Sequence, residues 1–178
     1  KGSALSKEDY DRDMDLIMEL GATTQRLTHY PYHKYVYQQA DENGIVLWTE
    51  IPQIGPGGYT AIGFVNSPGY KAQAKQVLTE LIRQNYNHPS IFFWGLMNEL
   101  RLNDNPEPFI KELNELAKKE DPYRLTTLAS NIGAKNFNGV SDMMAWNQYK
   151  GWYGGKFEDI GNWADEAHKA LPNTPIAL

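Results

Sequence analysis

Along the 178 residues of the chain, hydrophobic positions switch repeatedly between helical and strand periodicity. Ser6, with Asp9 three residues on, is placed to cap a helix. Tyr10, Met14, Ile17 and Met18 then recur at helical spacing until Gly21. A short strand over residues 23–28 precedes a helix over about 33–42, closed by Asn43-Gly44. Ile45-Val46-Leu47-Trp48 is β-branched and aromatic, the composition of a buried strand. Ser67-Pro68 opens a third helix with Val77, Leu78, Leu81 and Ile82 on one face, and His88-Pro89 ends its tail. Residues 91–96 form the most hydrophobic strand. A fourth helix turns Phe109, Leu113, Leu116 and Ala117 inward and stops before Asp121-Pro122. Residues 125–129 and 143–146 read as strands with little helix between them. Ile160, Trp163, Ala164, Ala167 and Leu171 share one stripe of a last helix, ahead of a strand at 175–178.

Strands alternating with amphipathic helices imply a parallel sheet with right-handed crossovers, either doubly wound or barrel-like. No Gly-rich phosphate fingerprint follows the first strand, which weakens the nucleotide-binding doubly wound option. Polar residues instead gather at the C-terminal ends of successive strands: Arg26 and His29, Glu50, Asn98-Glu99, then Asn147 and Tyr149. Barrel enzymes hold their chemistry at that rim. About six strands are counted, whereas a closed barrel needs eight.

Composition narrows the partners. The net charge is −5 with no Lys/Arg block, so neither nucleic acid nor a membrane is expected. No cysteine is present, which removes disulfides and thiolate metal sites. His29 and His33 have a helical metal spacing, but Pro31 between them spoils the helix, and no metal site is expected. Gly55, Gly57 and Gly58 mark a loop that lacks the Lys-Ser/Thr of a phosphate cradle. Asp41, Glu42, Glu120 and Asp121 end helices and are read as solvated, and His88 as structural. Aromatic residues make 12% of the chain, several beside amides, as in Trp146-Asn147-Gln148-Tyr149 and Gly151-Trp152-Tyr153. Flat rings beside amides suit sugars, whose C–H faces stack while their hydroxyls need donors and acceptors.

Asn98-Glu99 directly follows the most hydrophobic strand. A carboxyl group at such a barrel mouth is partly desolvated, and the raised pKa that follows is what a general acid needs near neutral pH. Asn87-His88-Pro89-Ser90-Ile91, then Trp94 and Asn98-Glu99, resemble the acid/base motif of glycoside hydrolase family 2. Four more segments match in order: Arg26-Leu27-Thr28-His29-Tyr30-Pro31; Asp41-Glu42-Asn43-Gly44-Ile45-Val46 with Glu50; Asp121-Pro122-Tyr123-Arg124; and Asn147-Gln148-Tyr149 with Gly151-Trp152-Tyr153.

The resemblance implies an α/β fold, an incomplete (β/α)8 TIM barrel with about strands 2–7 of eight and residues 1–178 as one partial barrel domain. It also implies a retaining β-glycosidase in which one carboxyl protonates the leaving oxygen and a second attacks the anomeric carbon about 5–5.5 Å away. By the motif, Glu99 looks like the acid/base and Asn98 the group that binds the sugar 2-hydroxyl. His29 is implied to contact the glycone, with Glu50, Asn147 and Trp146 as further substrate-binding candidates. Arg26 and Tyr149 are similar to residues that orient the nucleophile. Thr49-Glu50 stands where many members have Asp-Glu. The family's nucleophile is a Glu just after the seventh strand, which falls beyond Leu178, so the 178 residues alone are expected to be inactive. Open edges at strands 23–28 and 174–178 are expected to favour self-association. No cofactor is required, although some members can take a divalent or monovalent cation. Localisation stays open between cytoplasm and periplasm.

The leading specificity is β-galactosidase. β-Glucuronidase and β-mannosidase are the alternatives, Gly-Trp-Tyr occurring in glucuronidase-like sequences. A glucuronidase needs cations for its substrate's carboxylate, and those described for the family also lie beyond Leu178. A non-catalytic carbohydrate-binding barrel is a further reading, and the intact Asn98-Glu99 argues against it.

Overall fold

The computed structural model describes residues 4–53, 64–102, 104–133 and 136–178. The loop carrying Gly55, Gly57 and Gly58 lies outside them. Six strands, β1 (Thr24–Leu27), β2 (Val46–Glu50), β3 (Ile91–Asn98), β4 (Leu125–Ser130), β5 (Met143–Trp146) and β6 (Ile176–Ala177), alternate with α1 (Lys7–Glu19), α2 (Lys34–Asn43), α3 (Pro68–Asn85), α4 (Glu107–Glu120) and α5 (Asp159–Ala170). The strands pair in sequence order, every pair parallel, into a sheet curled as a half-barrel. Four of the helices sit on crossovers between neighbouring strands, and β4 passes to β5 without one among the described residues.

Local chemistry explains the helix ends. Ser6 and Asp9 form a reciprocal capping box at the start of α1. Ser67 caps α3 with Pro68 at its first position. Gly44 closes α2 in the left-handed region at φ 69°, where a Cβ would be unfavourable. The helix stripes meet the sheet as expected, with one exception. Met18 of α1 is 41% exposed, because α1 contributes only a narrow strip, centred on Met14, to the core. Its other neighbour is α2, met through Tyr10 against His33 and Tyr35 and through the Tyr35 hydroxyl on Asp11.

Strand alternation divides the side chains into two layers. Leu27, Leu47, Trp94, Leu96, Leu128, Met144 and Trp146 face the helices and form the main core with Leu78, Leu81, Phe109 and Leu113. Trp48, Ala129 and Ala145, flanked by Phe93 and Ala177, face the barrel interior. Gly95 belongs to this inner layer: a Cβ there would lie 2.5 Å from both Glu50 Cβ and Trp48 Nε1. Only a glycine lets β3 pass so close to β2, and that approach sets where Glu50 points.

The end opposite the rim is tied by three hydrogen-bonded carboxylates, which corrects the reading of Asp121, buried, and Asp41, half-buried, as solvated helix ends. Asp121 is 1% exposed and accepts from Trp94 Nε1, from Arg124 and from two backbone amides. Arg124 also donates to the carbonyls of Ile91, Tyr86 and His88, joining β3, α3 and the start of β4. Asp41 accepts from the Ser90 amide and lies 2.6 Å from His88 Nδ1. Asp142 accepts from Thr126 and pairs with Lys118.

Burial pushes all three of these carboxyls up. The hydrogen bonds from Arg124 and Trp94, from Ser90 and His88, and from Lys118 and Thr126 outweigh it and hold each below its ordinary value of 3.8. A depressed folded-state pKa adds stability that is complete above the unfolded value and is lost as pH falls through the folded one. The expected outcome is a flat melting temperature from pH 7 to about 5 and a steep fall below about pH 4. Thermal denaturation followed by circular dichroism across that range checks it. Asp121→Asn should flatten the acid limb.

Candidate active site

At the C-terminal ends of the strands lies an open hollow of about 830 Å³, lined by Arg26, Thr28, His29, Asn98, Glu99, Asn131, Asn147, Gln148, Tyr149, Lys150, Tyr153, Gly154 and Gly155. The residues brought together come from four strand ends that are far apart in sequence. Parallel pairing puts every strand's C-terminal end on the same rim, so side chains 121 positions apart, Arg26 and Asn147, meet at 3.0 Å.

Arg26 is the centre of the arrangement. Its Nε and one terminal nitrogen donate to Glu50 Oε2 at 3.1 and 3.0 Å, and its guanidinium stacks on the Trp48 ring with 4.2 Å from Cζ to the ring centre. The same guanidinium donates to Asn98 Oδ1 at 2.7 Å and to Asn147 Oδ1 at 3.0 Å. Glu50 closes the group from below, with His29 Nδ1 2.6 Å from its Oε1. The Glu50 side chain has no exposed surface. Its charge is compensated by a forked guanidinium, the geometry that suits a buried carboxylate best.

These contacts orient the two amides. Asn98 and Asn147 both turn their oxygens to Arg26, which has only donors to offer. Asn147 Nδ2 then donates to Asn98 Oδ1 at 2.9 Å and to Glu99 Oε1 at 2.5 Å. Asn98 Nδ2 has no protein partner among the described residues and borders the hollow. An amide donor is thus held ready for a ligand oxygen.

Glu99 is half-buried at the hollow's edge. The amides of Asn98 and Glu99 continue the ladder onto Gln53 and Ala129 carbonyls at 2.9 and 2.8 Å. Glu99 then adopts φ 52°, a left-handed conformation costing a non-glycine residue about 1–3 kcal/mol. The turn carries the side chain toward the axis while Leu100, next in sequence, is fully buried. Asn131 Nδ2 donates to Glu99 Oε2 at 3.0 Å, so both carboxylate oxygens are fixed.

Two of the substrate-binding candidates sit elsewhere. Trp146 is buried in the helix-facing core, ring edge against Trp163, because Ala145 takes the inward position on β5 and the next residue must face outward. Glu50 is sealed beneath Arg26 and His29 and does not line the hollow; it reaches a ligand only through them. Arg26, His29, Asn98, Glu99, Asn147 and Tyr149 do line it. Asn131 was missed, although it follows β4 at the same kind of strand end that singled out the others. Lys150 and Tyr153 were also missed as site residues, since no periodicity marks a loop side chain that turns back over the rim.

Residues 1–176 match the model of "Glycosyl hydrolases family 2, TIM barrel domain". A β-glucuronidase of Bacteroides fragilis is 48% identical over 178 residues, covering 99% of this chain and 26% of that protein. Among solved structures, an FMN-binding β-glucuronidase from Faecalibacterium prausnitzii superposes with a TM-score of 0.91 at 37% identity, covering 99% of this chain and 27% of that one. A putative β-galactosidase from Bacteroides fragilis follows with a TM-score of 0.88 at 36% identity, covering 99% and 25%. The chain thus spans about a quarter of the length of these relatives. Matched over nearly its whole length, the chain belongs to glycosyl hydrolase family 2 and carries part of that family's TIM barrel.

Proposed function

We propose that this chain contributes the acid/base half of a retaining β-glucuronidase active site. The observation that carries the choice of sugar is the 48% identity to a relative named β-glucuronidase, which favours an acidic glycone over the galactose expected from the motifs. A β-galactosidase is the second reading, favoured by the similarity to the putative β-galactosidase structure.

In the proposed reaction Glu99 protonates the glycosidic oxygen as the bond to the leaving group breaks, then deprotonates the water that releases the sugar. Asn98, its oxygen turned to Arg26, donates to the sugar 2-hydroxyl, a contact that strengthens in the transition state. His29 meets the glycone from the opposite side of Glu50. Tyr149, half-exposed at the rim, and Arg26 orient the nucleophile. Glu99 is the one carboxylate among the described residues lining the hollow. In this reading the attacking carboxylate comes from a part of the full-length protein outside these 178 residues.

The test compares 4-nitrophenyl β-D-glucuronide with the β-D-galactoside in the full-length protein. The expected kcat/KM ratio is at least about 100 in favour of the glucuronide, since an unpaired or missing charge partner costs about 3 kcal/mol. A preference for the galactoside would replace this reading with the second.

A further inference from the structure

Three side chains that can be cationic line the hollow: Arg26, His29 and Lys150. Arg26 is fully engaged by Glu50, Asn98 and Asn147, and His29 by Glu50. Lys150 differs. It is half-buried, and among the described residues its ammonium group has no hydrogen-bond or ion-pair partner. Asp159, at the start of α5, accepts from the backbone amide of Lys156 at 2.7 Å.

The segment that carries Lys150 is ordered by its own hydrogen bonds. The amides of Trp152 and Tyr153 donate to the Tyr149 carbonyl at 3.0 and 3.2 Å, Gly151 donates to Gly154 at 3.0 Å, and Lys150 and Gly154 form a parallel bridge. Gly151 and Gly155 take φ 83° and 67°, which glycine alone adopts without strain. A Cβ on Gly155 would lie 2.9 Å from Asp159 Oδ2 and 3.5 Å from Lys150 Cδ, so the bare backbone there makes room for the carboxylate, with the lysine stem packed alongside. An ammonium group held at a hollow, partly stripped of water and in no ion pair among the described residues, gains most from an anionic ligand.

We infer that Lys150 recognises the C6 carboxylate of a uronic-acid glycone and selects it over a neutral sugar. The inference rests on the glucuronidase reading and names a residue within this chain that enforces it. Placed on the loop after β5, Lys150 lies on the same side of the rim as Tyr149 and Tyr153.

The experiment uses the full-length protein, wild type, Lys150→Met and Lys150→Arg, with 4-nitrophenyl β-D-glucuronide and the β-D-glucoside, which differ only at C6. Lys150→Met should lower kcat/KM for the glucuronide at least about tenfold more than for the glucoside, mainly through KM. Lys150→Arg should restore most of the difference, and added salt should weaken glucuronide turnover by the wild type more than by Lys150→Met. Equal losses on both substrates, or none on the glucuronide, would overturn the role of Lys150 while leaving the glucuronidase reading intact. A wild type that prefers the neutral glycoside would overturn both.

Discussion

Glu99→Gln in the full-length protein is expected to cut kcat/KM for an alkyl β-glucuronide by about 10³-fold and for the 2,4-dinitrophenyl β-glucuronide by less than about tenfold. An alkoxide is a poor leaving group and departs only as it receives a proton, whereas dinitrophenolate departs without one. Gln is isosteric with Glu and its one oxygen can keep the bond from Asn147, while its amide nitrogen then stands against the Asn131 donor, which has to turn toward solvent. The substitution removes the transferable proton and, of the two carboxylate oxygens, one acceptor. With the activated substrate, formation of the glycosyl-enzyme stays fast and its hydrolysis, which needs Glu99 as base, becomes limiting. A burst of dinitrophenolate, followed by a slow steady state that azide accelerates, is the accompanying signature. Steady-state and stopped-flow kinetics on the two substrates decide it. A loss of equal size on both would take Glu99 out of the acid role.

Much of this arrangement was legible in the sequence, for a physical reason. Periodicity reports which face of an element is buried, and in a parallel sheet all strand ends of one sense fall on one side. The polar residues at the ends of β1, β3 and β5 could therefore be assigned to one rim before any coordinate was known. Periodicity is silent about how polar groups divide the work among themselves. Glu50 stood at a strand end like Glu99, yet the close passage of β2 and β3 at Gly95 and the reach of Arg26 seal it from the hollow. Trp146 lay beside Asn147 in sequence, but strand alternation sends neighbours to opposite faces. Asp121 looked like the end of a solvated helix, yet it anchors Trp94 and Arg124 in the closed end of the sheet. In each case the missing information was a long-range partner, which one-dimensional pattern does not carry.

Arg26→Met is expected to lower the stability of the barrel by about 3–5 kcal/mol and to abolish measurable turnover. The reason is what remains behind. Without the guanidinium, Glu50 keeps a fully buried carboxylate whose neighbour is His29 alone, and Asn98 and Asn147 lose the donor that fixes their amides. The free amides can then turn, and Asn147 no longer presents its nitrogen to Glu99. Stability and activity should part company in the double variant Arg26→Met/Glu50→Gln. Replacing the stranded charge by a neutral amide removes most of the desolvation penalty, so at least half of the lost stability should return. Activity should not, since the amides remain without their organiser. Urea denaturation of the full-length variants, followed by tryptophan emission from the barrel and set beside kcat/KM, measures both. If Arg26→Met melts like the wild type, or if the double variant regains turnover along with stability, Arg26 is neither the charge partner nor the organiser that its contacts with Glu50, Asn98 and Asn147 indicate.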